Sequence, residues 1–134
     1  FGKARIAREG SDLTIVTYGM MVQKSLNAAK ELEKEGVDVE VIDLRTIVPL
    51  DSETILESTK KTNRALVVYE DHEFIGFGAE ICAQIGDDAF TYLDAPIRRV
   101  AGEFTPIPFA HSLERAVLPS DEGILDAARD LAAF

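Results

Sequence analysis

Apolar residues recur with two different spacings along this chain, and the change between them is clearest from Gly36 to Asp51, GVDVEVIDLRTIVPLD. Upstream, Val22, Leu26, Ala29 and Leu32 fall at helical intervals, with Lys24, Lys30, Glu31, Glu33 and Lys34 on the polar side. This pattern predicts a helix from about Met20 to Glu35. Gly36 then supplies a residue without Cβ, as a left-handed helix end requires. Val37, Val39, Val41 and Leu44 suit a buried parallel strand. Pro49 cannot join a ladder, so the strand has ended before it. Asp51 or Ser52 can cap a following helix carrying Ile55 and Leu56, with Glu53 in the first turn, where the dipole favours a carboxylate.

The rest of the chain repeats this alternation. Ala4 to Arg8 reads as a short edge strand whose arginines discourage edge-to-edge pairing, and Gly10-Ser11 as a turn. Leu13, Ile15 and Val16 belong to a strand ending near Tyr18-Gly19. Ala65 to Tyr69 is nearly continuously apolar, as expected of a strand covered on both faces. A helix carries Ala79, Ile81, Cys82 and Ile85, and Ile97 to Val100 forms a strand after Pro96. Thr105 to Pro108 is irregular and extended. Ser120 caps a last helix bearing Ile124, Leu125, Ala128 and Leu131. The expected fold is α/β: a three-layer sandwich of one domain, residues 1–134. Its five-stranded sheet is mostly parallel with one antiparallel edge strand, and helices lie on both faces.

A net charge of −10 argues against nucleic acid and anionic membrane as partners and permits a basic protein partner. The single cysteine, Cys82, sits in an apolar pattern and reads as a small core residue. With no internal disulfide possible, a reducing compartment fits. No apolar run approaches membrane-spanning length. The chain starts at Phe1 without an initiator Met, which suggests a processed or excised piece of something longer.

Motifs for chemistry are sparse. Asp43, Arg45 and Thr46 follow a strand, where open α/β sheets keep functional groups. The loop EDHEFIGFG, Glu70 to Gly78, offers carboxylates, a histidine and a Gly-x-Gly entering a helix. The dinucleotide fingerprint needs a third glycine, and Ile81 stands there. Gly76 and Gly78 are therefore read as permitting a tight turn and close helix–sheet contact, and His72 as a solvated loop histidine. His111 is isolated, and no metal-ligand spacing occurs. Arg98 and Arg99 must point to opposite faces of their strand. One is expected to meet solvent or a partner, the other an internal carboxylate, with Asp94 as candidate.

Taken together, GKARIAREGSDLTIVTYG, VEVIDLRTIVPLD, the run from Glu70 to Ile81, YLDAPIRRV and TPIPFA followed by LE and LP cover nearly the whole chain in one order. This set resembles the C-terminal, transketolase C-terminal-like domain of the β subunit of thiamine-diphosphate-dependent 2-oxoacid dehydrogenases, of pyruvate, branched-chain or acetoin type. The resemblance implies a domain separated from its N-terminal pyrimidine-binding half, with no catalytic, cofactor-binding or metal residue of its own. Thiamine diphosphate and magnesium would be bound elsewhere in the parent enzyme, by the α subunit through a GDG motif that Gly86-Asp87-Asp88 does not match. It implies as partners a second β subunit about a twofold axis, the α subunit and the subunit-binding domain of the acyltransferase component. Docking of that last partner would involve Asp94, Arg98 and the carboxylate of Phe134. Arg98 falls where relatives binding this way carry an acid, and Phe104 replaces a common aspartate. Localisation would be the cytoplasm or mitochondrial matrix. Two other readings remain open at this stage. One is a transketolase-type domain with a small-molecule regulatory site near the EDHEFIGFG loop. The other is the equivalent domain of another thiamine enzyme.

Overall fold

A computed structural model describes residues 1–134. The elements are β1 (Arg5–Arg8), β2 (Leu13–Thr17), α1 (Met21–Lys34), β3 (Val39–Asp43), α2 (Ser52–Thr62), β4 (Ala65–His72), α3 (Phe77–Ala89), β5 (Arg98–Gly102), α4 (His111–Val117) and α5 (Asp121–Ala132). They form one five-stranded sheet in the order β1-β3-β2-β4-β5. β1 runs antiparallel to β3, and every other pairing is parallel. The expected three layers and single antiparallel edge are present.

Side-chain alternation divides the interior into two cores. Leu13, Ile15, Val39, Val41, Leu66 and Val68 pack with Ala28, Ala29 and Leu32 of α1 and with Ile124, Ala128 and Leu131 of α5. The opposite residues of the same strands, Val16, Ile42, Val67 and Tyr69, pack with Ile55 of α2 and with Ile81 and Ile85 of α3. β2, at the sheet centre, is buried along its whole length. Cys82 lies half-buried at the margin of the second core, where burial pushes its thiol pKa up.

The predicted helix ends are observed. Gly36 takes φ +84° beyond α1. Asp51 accepts from Thr54 N at 3.4 Å and Thr54 Oγ1 at 2.8 Å, and also from Ala4 N at 2.9 Å, so one carboxylate caps α2 and fixes the entry to β1. Ser120 Oγ accepts from Gly123 N at 2.9 Å and caps α5. Gly78 must lack a side chain, since a Cβ there would stand 1.9 Å from the Tyr69 ring.

Some expectations need correction. β4 continues to His72, so His72 is not a solvated loop residue. It is half-buried, with Nε2 3.1 Å from the Thr105 carbonyl and its ring edge-on to Phe104 at 5.3 Å. A seven-residue helix, α4, was not anticipated, and His111 is its first residue. Asp43, Arg45 and Thr46 shape a turn: Arg45 has φ +59° and donates from its amide to Asp43 Oδ1 at 3.2 Å, while Thr46 Oγ1 donates to Pro49 O at 3.1 Å. The chain leaves β2 toward β3 and β4 toward β5, so the topological switch lies between β2 and β4, one strand away from that turn.

Candidate functional site

Asp94 and Arg98 lie on the segment entering β5 at the amino-terminal end of the sheet, and Phe134 follows α5; no hydrogen bond or ion pair joins Phe134 to the other two. Asp94 follows a short 3-10 turn, Phe90–Tyr92, and Arg98 is the first residue of β5, opposite Leu66 of β4. Phe134 ends the chain just beyond α5. Ala95 is buried in the same core cluster as Ala128 and Leu131 of α5. α1 and α5 run side by side in the same direction. Lys24 Nζ donates to Pro119 O at 2.7 Å near their starts, and Arg129 bonds both Glu35 carboxylate oxygens, at 2.8 and 3.0 Å, near their ends.

The Asp94 segment is held by a residue that the sequence reading passed over. Asn63 stands in the left-handed conformation at the end of α2, with φ +62°. Its Nδ2 donates to Tyr92 O at 2.7 Å, and its carbonyl accepts from Asp94 N at 2.8 Å. Lys60 Nζ lies 5.3 Å over the Tyr92 ring. The available signal was an asparagine directly after Lys60-Lys61-Thr62, since asparagine is the commonest substitute for glycine at such a helix end.

These anchors act on the backbone and leave the Asp94 and Arg98 side chains free. Asp94 and Arg98 are exposed, and neither side chain makes a hydrogen bond or ion pair. Arg98 therefore does not neutralise Asp94. The inward arginine is Arg99, and its carboxylate partner is Glu73, not Asp94. Arg99 donates to Glu73 O at 2.6 Å and Tyr69 Oη at 3.3 Å, and lies 3.7 Å from Glu73 Oε1. Beside Asp94, the residues Phe90, Leu93, Ala95, Pro96 and Ile97 form a largely apolar groove of about 590 Å³. Phe134 is 63 % exposed. An exposed carboxylate therefore stands beside an open, largely apolar groove.

The carboxyl-terminal end of the sheet carries a second exposed surface. From Glu103 to Val117 no residue is buried, and Phe104, Ile107, Phe109 and Leu113 are exposed beside Phe74 and Ile75. Phe104 stands edge-on to Phe74 at 5.1 Å.

Comparison with known proteins places this architecture. The profile of the transketolase C-terminal domain matches residues 2–124. Over all 134 residues the chain is 48 % identical to the pyruvate dehydrogenase E1 component subunit beta of Rickettsia felis, covering 41 % of that protein. It is 48 % identical to the Bacillus subtilis subunit over 99 % of this chain and 41 % of the relative. The mitochondrial subunit beta-1 of Arabidopsis thaliana is 49 % identical over 96 % of this chain and 35 % of the relative. The chain thus spans about two fifths of the length of the bacterial relatives. Among solved structures, a split-gene transketolase described as an inactive β4 tetramer superposes with a TM-score of 0.83 at 26 % identity, over 98 % of this chain and 42 % of that one. The buried doubly wound sheet, its two helical layers and the match to residues 2–124 together show that this chain belongs to the transketolase C-terminal domain family.

Proposed function

We propose that this domain serves assembly and partner docking in the β subunit of a 2-oxoacid dehydrogenase of the pyruvate dehydrogenase type. The parent reaction is oxidative decarboxylation of a 2-oxoacid with acyl transfer to a lipoyl group. The observation that carries the reading is 48 % identity sustained over the full chain with pyruvate dehydrogenase β subunits. The residues here do not suit thiamine diphosphate and magnesium. Gly86, Asp87 and Asp88 lie inside α3, not in a phosphate-binding loop, and no three His, Cys, Asp or Glu side chains converge as a metal site needs. Those groups belong to the α subunit and to the other part of the β subunit. The transketolase neighbour is described as a β4 tetramer, and this supports a role in assembly. A reducing compartment, cytoplasm or mitochondrial matrix, suits a chain whose relatives are bacterial and mitochondrial. No helix is long and apolar enough to cross a membrane.

The docking partner is the small, basic subunit-binding domain of the acyltransferase component. Asp94 supplies charge complementarity, the groove along Phe90, Leu93 and Pro96 receives apolar side chains, and Phe134 contributes its carboxylate. Surface plasmon resonance against that domain tests the assignment. Asp94→Lys is expected to weaken binding by about 1–3 kcal/mol, with a steeper loss in low salt, as for a reversed interfacial charge contact. Removal of Phe134 is expected to act in the same direction. Unchanged affinity in both variants rejects the docking surface and leaves the assembly role.

A further inference from the structure

We propose that the hollow at the topological switch point binds a free α-amino acid with an apolar side chain, through its ammonium and carboxylate groups together. The hollow encloses about 510 Å³. That falls in the range of small-molecule sites, roughly 300–1,000 Å³. It lies beyond the carboxyl ends of the adjacent strands β2 and β4, the crevice where open α/β sheets take their ligands. Met20 and Met21 at the start of α1 and Leu118 after α4 give it an apolar wall.

Its charged side chains fall into two groups. Lys24 is committed: Nζ donates to Pro119 O at 2.7 Å and lies 3.8 Å from Asp121 Oδ1. Glu114 Oε2 is 3.4 Å from His111 Nδ1. Glu70 and Arg115 are uncommitted. Glu70 is half-buried at the end of β4, yet its carboxylate has no hydrogen bond and no ion pair. Arg115 uses only Nε, which donates to His111 O at 3.3 Å, so both terminal nitrogens are free. An unpaired carboxylate lining the hollow suits an ammonium group, with which it would form a charge-assisted hydrogen bond. A free guanidinium suits a carboxylate bidentately. The start of α1 reinforces that end, with no side-chain cap and no acid in its first turn. One unpaired carboxylate, one unpaired guanidinium and a methionine wall match the three parts of an apolar zwitterion. Glu70 also opens the EDHEFIGFG loop, so the site gives a chemical identity to the ligand that loop suggested. The inference does not depend on the assembly role.

The test is a titration of the chain, labelled at its methionine methyl groups, followed by NMR. The probes are L-leucine, leucinamide, which lacks the carboxylate, and isocaproate, which lacks the ammonium. Leucine is expected to shift Met20 and Met21 saturably, with each truncated probe about tenfold weaker or worse, the loss of one charge-assisted contact. Glu70→Gln should abolish the preference for leucine over isocaproate, and Arg115→Gln the preference over leucinamide. Absence of a saturable shift at about 10 mM leucine, the weak limit for a specific site, overturns the proposal. So does an equal response to all three probes in the unaltered chain, a result that needs no variant to fold.

Discussion

In the middle of β3, burial deprives the Glu40 carboxylate of water and by itself drives its pKa up. Hydrogen bonds from Lys61, Ser58 and the Gly10 amide outweigh that effect and leave the pKa below the ordinary glutamate value. Ser58 is joined in turn to Thr14, and Thr14 to Thr62, each at 2.7 Å, so a polar chain crosses an otherwise apolar layer. The sequence concealed this. Glu40 alternates with Val39 and Val41 and reads as the wet side of a strand, whereas α2 covers it with hydroxyls. A carboxyl whose folded pKa is depressed adds stability that is fully present above its unfolded value, about 4.3. That stability is lost as pH falls through the folded value. Glu40→Gln is therefore expected to cost about 1–3 kcal/mol near neutral pH, as for a disrupted buried hydrogen-bond set. The difference from the unaltered chain should shrink below a pH of about 4. Urea unfolding at both pH values checks this; an equal deficit at each would show that the charge is not what matters.

At the scale of elements, legibility followed burial. All five strands and the four helices with buried stripes announced themselves by period and by end signals such as Gly36, Asp51 and Ser120. α4 did not, because none of its residues is buried and no apolar period exists to be read. The last residues of β4 were hidden for a similar reason. Glu70, Asp71 and His72 look like loop chemistry, and only pairing with Gly102 of β5 makes them strand. Asn63 carries no apolar period of its own, so its hold on the backbone around Asp94 is visible only in the fold. A seven-residue helix without a buried face is too short to persist on its own propensity. Hydrogen exchange should accordingly show Glu103 to Val117 exchanging far faster than β2 and β4. Binding of a protein partner across Phe104 and Phe109 should slow it. Protection equal to that of the central strands in the isolated chain would contradict this account.

For the whole molecule, two opposing surface properties meet. A net charge of −10 keeps copies apart, while Phe74, Ile75, Phe104, Ile107 and Phe109 expose an apolar patch beside one end of the sheet. Exposed apolar surface favours association. Raising the salt screens the repulsion and leaves the apolar attraction. Sedimentation equilibrium is expected to show reversible self-association that strengthens with salt and is weakened by Phe104→Ser together with Phe109→Ser. A strict monomer at high concentration in high salt would count against an assembly role for this patch.

The excursion from Glu103 to Val117 has one further consequence. Its two ends meet, because Glu103 N donates to Val117 O at 3.0 Å, while nothing between them enters either core. It is a closed appendage mounted on a finished scaffold. The excursion can be lengthened at little entropic cost to the fold, since loop closure grows only slowly with length. The clasp thus offers protein engineers a ready insertion point, and it gives natural lineages a segment in which recognition can diverge while the sheet beneath is retained.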